Sequence, residues 1–257
     1  MSGAEKTAER RVIFNADDLG RTPGINAGIF ESHRRGVVTS ATLMVNYEAS
    51  SAAADTLALH PELGVGLHVA FTGDEPCLPA TSVPSLVDDA GRLPAKPELL
   101  GALREDEVQA EVRAQLARFC ELTGREPSHL DSHHHSHRHP IICQALIEVA
   151  KELDVPVRCS SAEVAALLRR NGVRSSDHFV ERFFAEEATQ PVLAEILQAC
   201  GPGTTEIMCH PGLVDDELRN GSSYTDDRER ELQILCSSET FDLMHDLGIQ
   251  RIDFTDV

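Results

Sequence analysis

The chain has 257 residues, 41 % of them hydrophobic, and no Trp; that is enough Leu, Val, Ile and Ala for one large core, and it is not the composition of a disordered chain. Lys and Arg number 23 against 42 Asp and Glu, a formal charge of −19, which repels phosphate backbones and anionic membranes; no basic cluster exceeds a pair such as Arg169-Arg170, so nucleic-acid and membrane partners are excluded. The cysteines are odd in number and form no CxxC pair, which speaks against a zinc finger or disulfide framework and for free thiols in a reducing cytoplasm.

The opening MSGAEKTAERR is polar and has no apolar signal segment; residues 1–10 read as a flexible tail on a single catalytic domain, 1–257. RVIFN (11–15) reads as a buried strand ending at Asp17 and Asp18, and 24–35 has helical spacing with Ile25, Ile29 and His33 on one face. Residues 37–46 are β-rich, 55–60 belong to a helix stopped by Pro61, and 63–71 form another strand. The stretch 72–104 is long, polar and Pro-rich; connections of that length in a compact domain are usually functional or disordered, and this one is expected to cover a site. An amphipathic helix over 105–122 follows, then a short strand at 129–132 and a helix at 140–153. Further strands are predicted at 155–159, 204–209 and 249–254, and helices at 162–170, 191–199 and 228–247. Strands alternating with helices imply a parallel sheet, and about seven such units favour a closed or nearly closed, irregular TIM-like (β/α) barrel over an open sheet.

Polar clusters fall at or just after the C-terminal ends of four predicted strands: NADD (15–18), GLH (66–68), DSHHHSH (131–137) and CHP (209–211). In parallel β/α folds those ends converge on one face. Asp17 and Asp18 repel one another unless a cation or a proton lies between them, although a helix N-cap is the plainer use of such a pair. His68 alone would read as a satisfied core histidine, and His210, before Pro211-Gly212, as a loop residue. If the strand continued through the histidine run, His133, His135 and His137 would share a face with His134 opposite; a solvated turn is the alternative. Taken together, one Asp and two His from separate strand ends suit Zn, Mn, Fe, Co or Ni and are tolerable for Mg, with positions left for water and substrate. A neighbouring Asp can then serve as general base and a His as acid for amide hydrolysis.

FNADDLG (14–20), GVVTSATLMVN (36–46), GLHVAFTG (66–73), HLDSHHHSH (129–137), MCHPG (208–212) and Tyr224 followed by Arg228-x-x-Glu231-Leu232 occur in the order and spacing of the YdjC/ChbG-like carbohydrate deacetylases, which the chain resembles over 11–257. The resemblance implies a polysaccharide-deacetylase-like irregular barrel, one divalent metal, Mg or Zn, and removal of acetyl groups from N-acetylated amino sugars or short chitooligosaccharides. Carried over by position, the metal ligands are Asp18, His68 and His133, the base is Asp17 and the acid is His210. Asp131 is expected to orient a ligating imidazole. His135, Arg158, Tyr224 and Arg228 are expected to touch sugar or support the site, with an ordinary surface ion pair as the plain alternative for the two arginines. Leu19 stands where the family usually has Phe, and GLVDDEL after His210 and the loop 72–96 differ from the chitobiose-type members, so the sugar itself is left open.

Two other readings compete. A glycoside hydrolase needs two carboxyls about 5–9.5 Å apart across the scissile bond, which adjacent Asp17 and Asp18 do not easily provide, and it leaves the histidines idle. A metal- or sugar-binding barrel without catalysis is the non-enzymatic alternative. The expected partner is a small carbohydrate, the expected location the cytoplasm, and the expected assembly a homodimer, the commonest closed oligomer.

Overall fold

The computed structural model describes residues 9–257. In chain order its elements are β1 (Arg10–Leu19), α1 (Pro23–Arg35), β2 (Ser40–Leu43), α2 (Ser50–Leu57), β3 (Gly64–Val69), α3 (Glu105–Thr123), β4 (Leu130–Ser132), α4 (Pro140–Leu153), α5 (Ala162–Asn171), β5 (His178–Val180), α6 (Gln190–Ala199), β6 (Gly203–Cys209), α7 (Asp216–Gly221), α8 (Asp226–Leu235), α9 (Ser238–Asp246) and β7 (Ile249–Arg251). All the ladders are parallel. The strand order is β4-β3-β2-β1-β6-β5, with β7 beside the first residues of β1. The expected α/β architecture is thus present, as a sheet curled toward a barrel with helices around it. One seam stays open among the described residues: Val157 makes a single bridge to Leu130 of β4, and no ladder joins that segment to β5. The connection after α5 spans the seam, with the Val157 N–H donating to the Arg174 carbonyl at 2.9 Å and the Asp177 N–H to that of Thr204 at 3.0 Å.

Period-two alternation sorts the strand residues onto two faces. Phe14 and Ala16 of β1, Leu67 and Val69 of β3 and Ile207 and Cys209 of β6 point outward into the main apolar core. The inward positions differ along the barrel axis. Near the N-terminal ends of the strands, Ile13, Ile252 and Phe254 form a small apolar plug, and Phe254 stacks on His129 at 3.7 Å. Glycine on β3 makes that plug possible: a Cβ on Gly66 would lie 2.5 Å from the His129 ring, and one on Gly64 would lie 2.9 Å from Asp253. Farther along, the inward side chains are Asn15, Thr42, Asp131, Arg158 and Glu206, all fully buried. The interior therefore changes from carbon to charge toward the end where β/α barrels carry their sites.

The long connection 72–104 is clamped down by α3. Glu107, Glu111 and Gln115, spaced i, i+4, i+8, share one helix face and are buried. Glu111 accepts the backbone N–H groups of Cys77 at 2.8 Å and Leu78 at 3.0 Å, and Glu107 accepts that of Ser85 at 2.7 Å. Gln115 exchanges two hydrogen bonds of 2.8 Å with the Ala70 backbone.

Several predicted boundaries are corrected. The helix expected over 228–247 is two helices, α8 and α9, because Ser237 leaves helical geometry and caps α9 by accepting from the Thr240 N–H. The strand expected at 155–159 supplies one bridge only, and that at 249–254 shortens to the three residues of β7. Helix α2 occupies Ser50–Leu57 and not the run up to His60. The two elements not anticipated, β5 and α7, are three and six residues long, too short for periodicity to register. Residues 1–8 of the expected tail lie outside the described residues, and Arg10 already belongs to β1. The seven cysteines are free, and no helix among the described residues is long and apolar enough to cross a membrane.

Candidate metal centre and catalytic pocket

Neighbouring residues on a regular strand face opposite ways, yet Asp17 and Asp18 both reach the same pocket. The strand breaks its own pattern to do this. Asn15 and Ala16 pair with Ser40 and Ala41, but the next pair is Leu19 with Leu43, so β1 spends one residue more than β2. The extra residue is Asp18, at φ 71°, a left-handed conformation uncommon for a side chain with a Cβ. Strain at such a position is characteristic of functional sites.

Asp18 is the meeting point. Its Oδ1 lies 3.1 Å from His133 Nδ1 and 3.6 Å from His68 Nε2. Its Oδ2 is taken by the Arg228 guanidinium at 2.5 Å, with Arg21 at 3.6 Å. Burial would raise the Asp18 carboxyl, but the charges of Arg228 and His133 hold it well below the usual carboxylate range. His68 uses its other nitrogen on Asp131, Nδ1 to Oδ1 at 2.7 Å, so Nε2 is the atom left to face Asp18. Burial opposes charge on His68, yet Asp131 raises its pKa overall; on His133 burial wins and the pKa falls.

These residues fit a divalent cation. The donor atoms of Asp18, His68 and His133 lie within 4.8 Å of one another, and all three residues are buried. Asp18 Oδ1 is a buried acceptor with no hydrogen-bond partner, which is costly in a dry site unless a cation answers it. A second trio, Asp17, His68 and Asp131, is equally close. There, however, Arg158 already bridges Asp17 and Asp131, so its positive charge fills the place of an ion.

Arg158 organises the rest. It is fully buried, binds both oxygens of Asp17 at 2.7 Å, and reaches Asp131 at 2.9 Å and Glu206 at 2.6 Å. Asn15 adds a 2.9 Å hydrogen bond to Asp17, and Thr42 one of 3.2 Å to Asp131. Burial pushes the Asp17 carboxyl up, but Arg158 outweighs it, and Asp17 stays ionised. Glu206, with one oxygen unpartnered, is pushed up by burial to about 7. The sugar-contact and surface-pair readings of Arg158 therefore give way, since the side chain has no exposure. Arg228, with side-chain exposure of 2 %, is likewise no surface ion pair. Its guanidinium lies over the Tyr224 ring at 5.2 Å and beside the cavity.

The histidine run does not continue the strand. β4 ends at Ser132, and His134 and His135 take left-handed conformations at φ 52°. Hence His133, His135 and His137 do not share a face. His133 joins Asp18; His134 meets the Thr72 hydroxyl at 3.0 Å; His135 turns to Glu181 at 3.1 Å; His137 is buried against the Ser132 hydroxyl at 2.5 Å. Across the pocket, the His210 backbone N–H and the Tyr224 hydroxyl both bind Glu231, which burial raises to about 8. Burial lowers His210 to about 3, so its imidazole is neutral at neutral pH. Asp17, Asp18, His68, His133, His134, His135, His210 and Tyr224 border one cavity of about 650 Å³, whose rim also includes Arg21, Lys96 and Phe184; His137 and Glu231 lie behind its wall. Glu206 and Phe184 escaped the sequence reading, and Glu231 entered it only as part of the motif that follows Tyr224, with no role. Glu206 had a signal, a lone carboxylate inside the apolar strand TTEIMC.

Comparison with known proteins finds relatives over nearly the whole chain. The model of the YdjC-like protein family matches residues 11–246. A carbohydrate deacetylase of Brevibacillus brevis is 38 % identical over 249 residues, covering 96 % of this chain and 99 % of the relative. A chitooligosaccharide deacetylase of Salmonella paratyphi B is 36 % identical over 255 residues, covering 97 % and 100 %. The crystal structure of an Enterococcus faecalis V583 protein, provisionally described as a cellobiose-phosphate cleavage protein, superposes with a TM-score of 0.92 at 32 % identity, covering 97 % of this chain and 99 % of that one. A family 4 acetyl xylan esterase of Clostridium thermocellum superposes with a TM-score of 0.51 at 12 % identity, covering 95 % and 88 %, and shares the fold. With the family model and these relatives spanning nearly all of its length, the chain belongs to the YdjC-like protein family.

Proposed function

We propose that the protein is a metal-dependent hydrolase that removes acetyl groups from N-acetylated amino sugars, with short chitooligosaccharides as the substrate class. The observation that carries the reading is the convergence of Asp18, His68 and His133 beside a second aspartate, Asp17, kept ionised by Arg158. The names of the relatives give the substrate class.

Asp18, His68 and His133 would hold the ion; one carboxylate and two imidazoles suit zinc well and magnesium tolerably. When bound there, a divalent ion supplies Lewis acidity for the amide carbonyl and makes water more acidic. Arg228 occupies one oxygen of Asp18 and leaves the other free for this purpose. Asp131 sets the tautomer of His68. Asp17, anionic and fixed through both oxygens, takes a proton from water. His210 carries a proton to the departing amine. Because its resting imidazole is neutral, it must first receive the proton that it delivers.

The same geometry weighs against a glycoside hydrolase. That chemistry needs one carboxyl kept protonated as acid. Asp17 and Asp18 are both held ionised by arginines, and Glu181 at the rim is lowered to about 2, chiefly by its hydrogen bond from His135; Glu206 and Glu231, which burial raises, do not line the cavity.

The test is acetate release from a panel of N-acetylated sugars, paired with elemental analysis. Asp17→Asn is expected to keep the metal and lose turnover by about a hundredfold or more, the scale of a general base. His68→Ala and His133→Ala lose both. An Asp17→Asn protein with undiminished turnover removes that residue from the mechanism, and reducing ends in place of acetate overturn the function.

A further inference from the structure

We propose that Phe184 is the platform on which the sugar ring bearing the reacting acetamide stacks; the inference rests on the amino-sugar reading of the site. Phe184 lies in the connection between β5 and α6, lines the cavity, and at 40 % exposure is the one aromatic among the exposed large apolar side chains of the described residues. One face of its ring is covered by Tyr224, stacked at 4.4 Å and 16° between planes. Among the described residues no second ring stacks on it, and the side chain lines the cavity. Its edge-on neighbour is His210, with ring centroids 5.2 Å apart.

The segment is built to hold that ring still. Ala185, the next residue, sits at φ 52°, a conformation that costs a residue with a Cβ and turns the chain sharply. The Tyr224 hydroxyl accepts the Ala185 N–H at 3.1 Å. Arg230 grips the carbonyls of Ala185 at 2.6 Å and Ala188 at 2.8 Å. A scattered surface phenylalanine needs no such bracing.

Chemistry sets which ring the platform meets. In amide hydrolysis the sugar departs on the nitrogen, and His210 is the group assigned to protonate that nitrogen. The sugar ring attached to it therefore lies on the His210 side of the pocket, where Phe184 stands. A pyranose offers one face of C–H groups, which suits an aromatic face, and hydroxyls at its edge for the polar rim. Phe184 would thus select an aminopyranose over a small acyclic acetamide without touching the reacting bond.

The experiment is saturation-transfer NMR on the chelator-treated full chain with N,N′-diacetylchitobiose, combined with a titration for Kd. Irradiating aromatic protons of the unaltered protein should transfer magnetisation to the sugar C–H protons of one face. Phe184→Leu, which keeps apolar bulk and removes the ring, should raise Kd roughly ten- to a hundredfold, the scale of ring stacking in other sites, and weaken the transfer, to which Tyr224 and the histidine rings of the cavity still contribute. Phe184→Tyr should restore both, and the melting temperatures of the three proteins show that each is folded. Unchanged Kd and transfer in Phe184→Leu, or no transfer in the unaltered chain, overturns the platform. Acetate release by the metal-loaded protein judges the deacetylation reading separately: a chain that shows the stacking signal yet frees no acetate keeps the platform and loses the reaction.

Discussion

Replacing Arg158 by Met tests the buried network most severely. The guanidinium is the shared partner of Asp17, Asp131 and Glu206, with no exposure of its own. Breaking a buried pair by removing one member costs about 3–5 kcal/mol, because the remaining charge stays desolvated. For a chain of this size that is a fall in Tm of roughly 6–20 °C, at about 2–4 °C per kcal/mol. The loss must depend on pH. Asp17 and Asp131 have depressed pKa values in the native protein despite burial, so they contribute stability above their unfolded pKa and lose it as pH falls through the lower folded value. Without Arg158 burial is opposed chiefly by the neighbouring histidines, the carboxyls hold protons to higher pH, and Glu206, already raised to about 7, adds a further unpaired charge once ionised. The deficit is therefore small at pH 5 and large at pH 8. Urea unfolding of chelator-treated protein at both values measures it. Adding Glu206→Gln should recover part of the loss at pH 8, since one uncompensated charge disappears. Equal deficits at both pH values, or a double variant less stable than Arg158→Met, would refute this account of the network.

Glu231, buried and raised to about 8, holds a proton in the folded state that the unfolded chain releases above about pH 4.5. Stability should fall as pH rises from about 4.5 toward 8, by at most on the order of 4 kcal/mol. Glu231→Gln should flatten that slope in urea titrations; an unchanged slope assigns it to other groups. Glu111→Ala leaves the Cys77 and Leu78 N–H groups without their acceptor, a local loss of about 1–3 kcal/mol. The expected result is faster proteolysis within 72–104, and resistance equal to the parent protein would show that the clamp is not what holds this segment.

The parts legible in the sequence share a cause. NADD, GLH and CHP each follow an apolar run and DSHHHSH ends a short predicted strand, so strand ends and polar clusters could be matched before any coordinates, and the strand–helix alternation pointed to a parallel sheet. What escaped reading depends on contacts remote along the chain. Arg158 follows a weak strand, and nothing local says that it faces three carboxylates from β1, β4 and β6. Glu107 and Glu111 look like the solvated side of an amphipathic helix, yet they bury themselves to satisfy the backbone of a distant loop. The histidine spacing suggested a strand face, but left-handed turns at His134 and His135 redistribute the rings. Phe184 sits beyond a three-residue strand that no period reveals.

The open seam between Val157 and β5 divides labour around the mouth of the barrel. The proposed metal ligands stand on β1 and β3 and just after β4, where each strand is paired to its neighbour, with the bulge at Asp18 the one break in register. Glu181 and Phe184 stand on the flank where sheet pairing stops, in the connection between β5 and α6, which carries none of the proposed ligands. Recognition can diverge there while the chemistry, anchored on the other flank, stays the same.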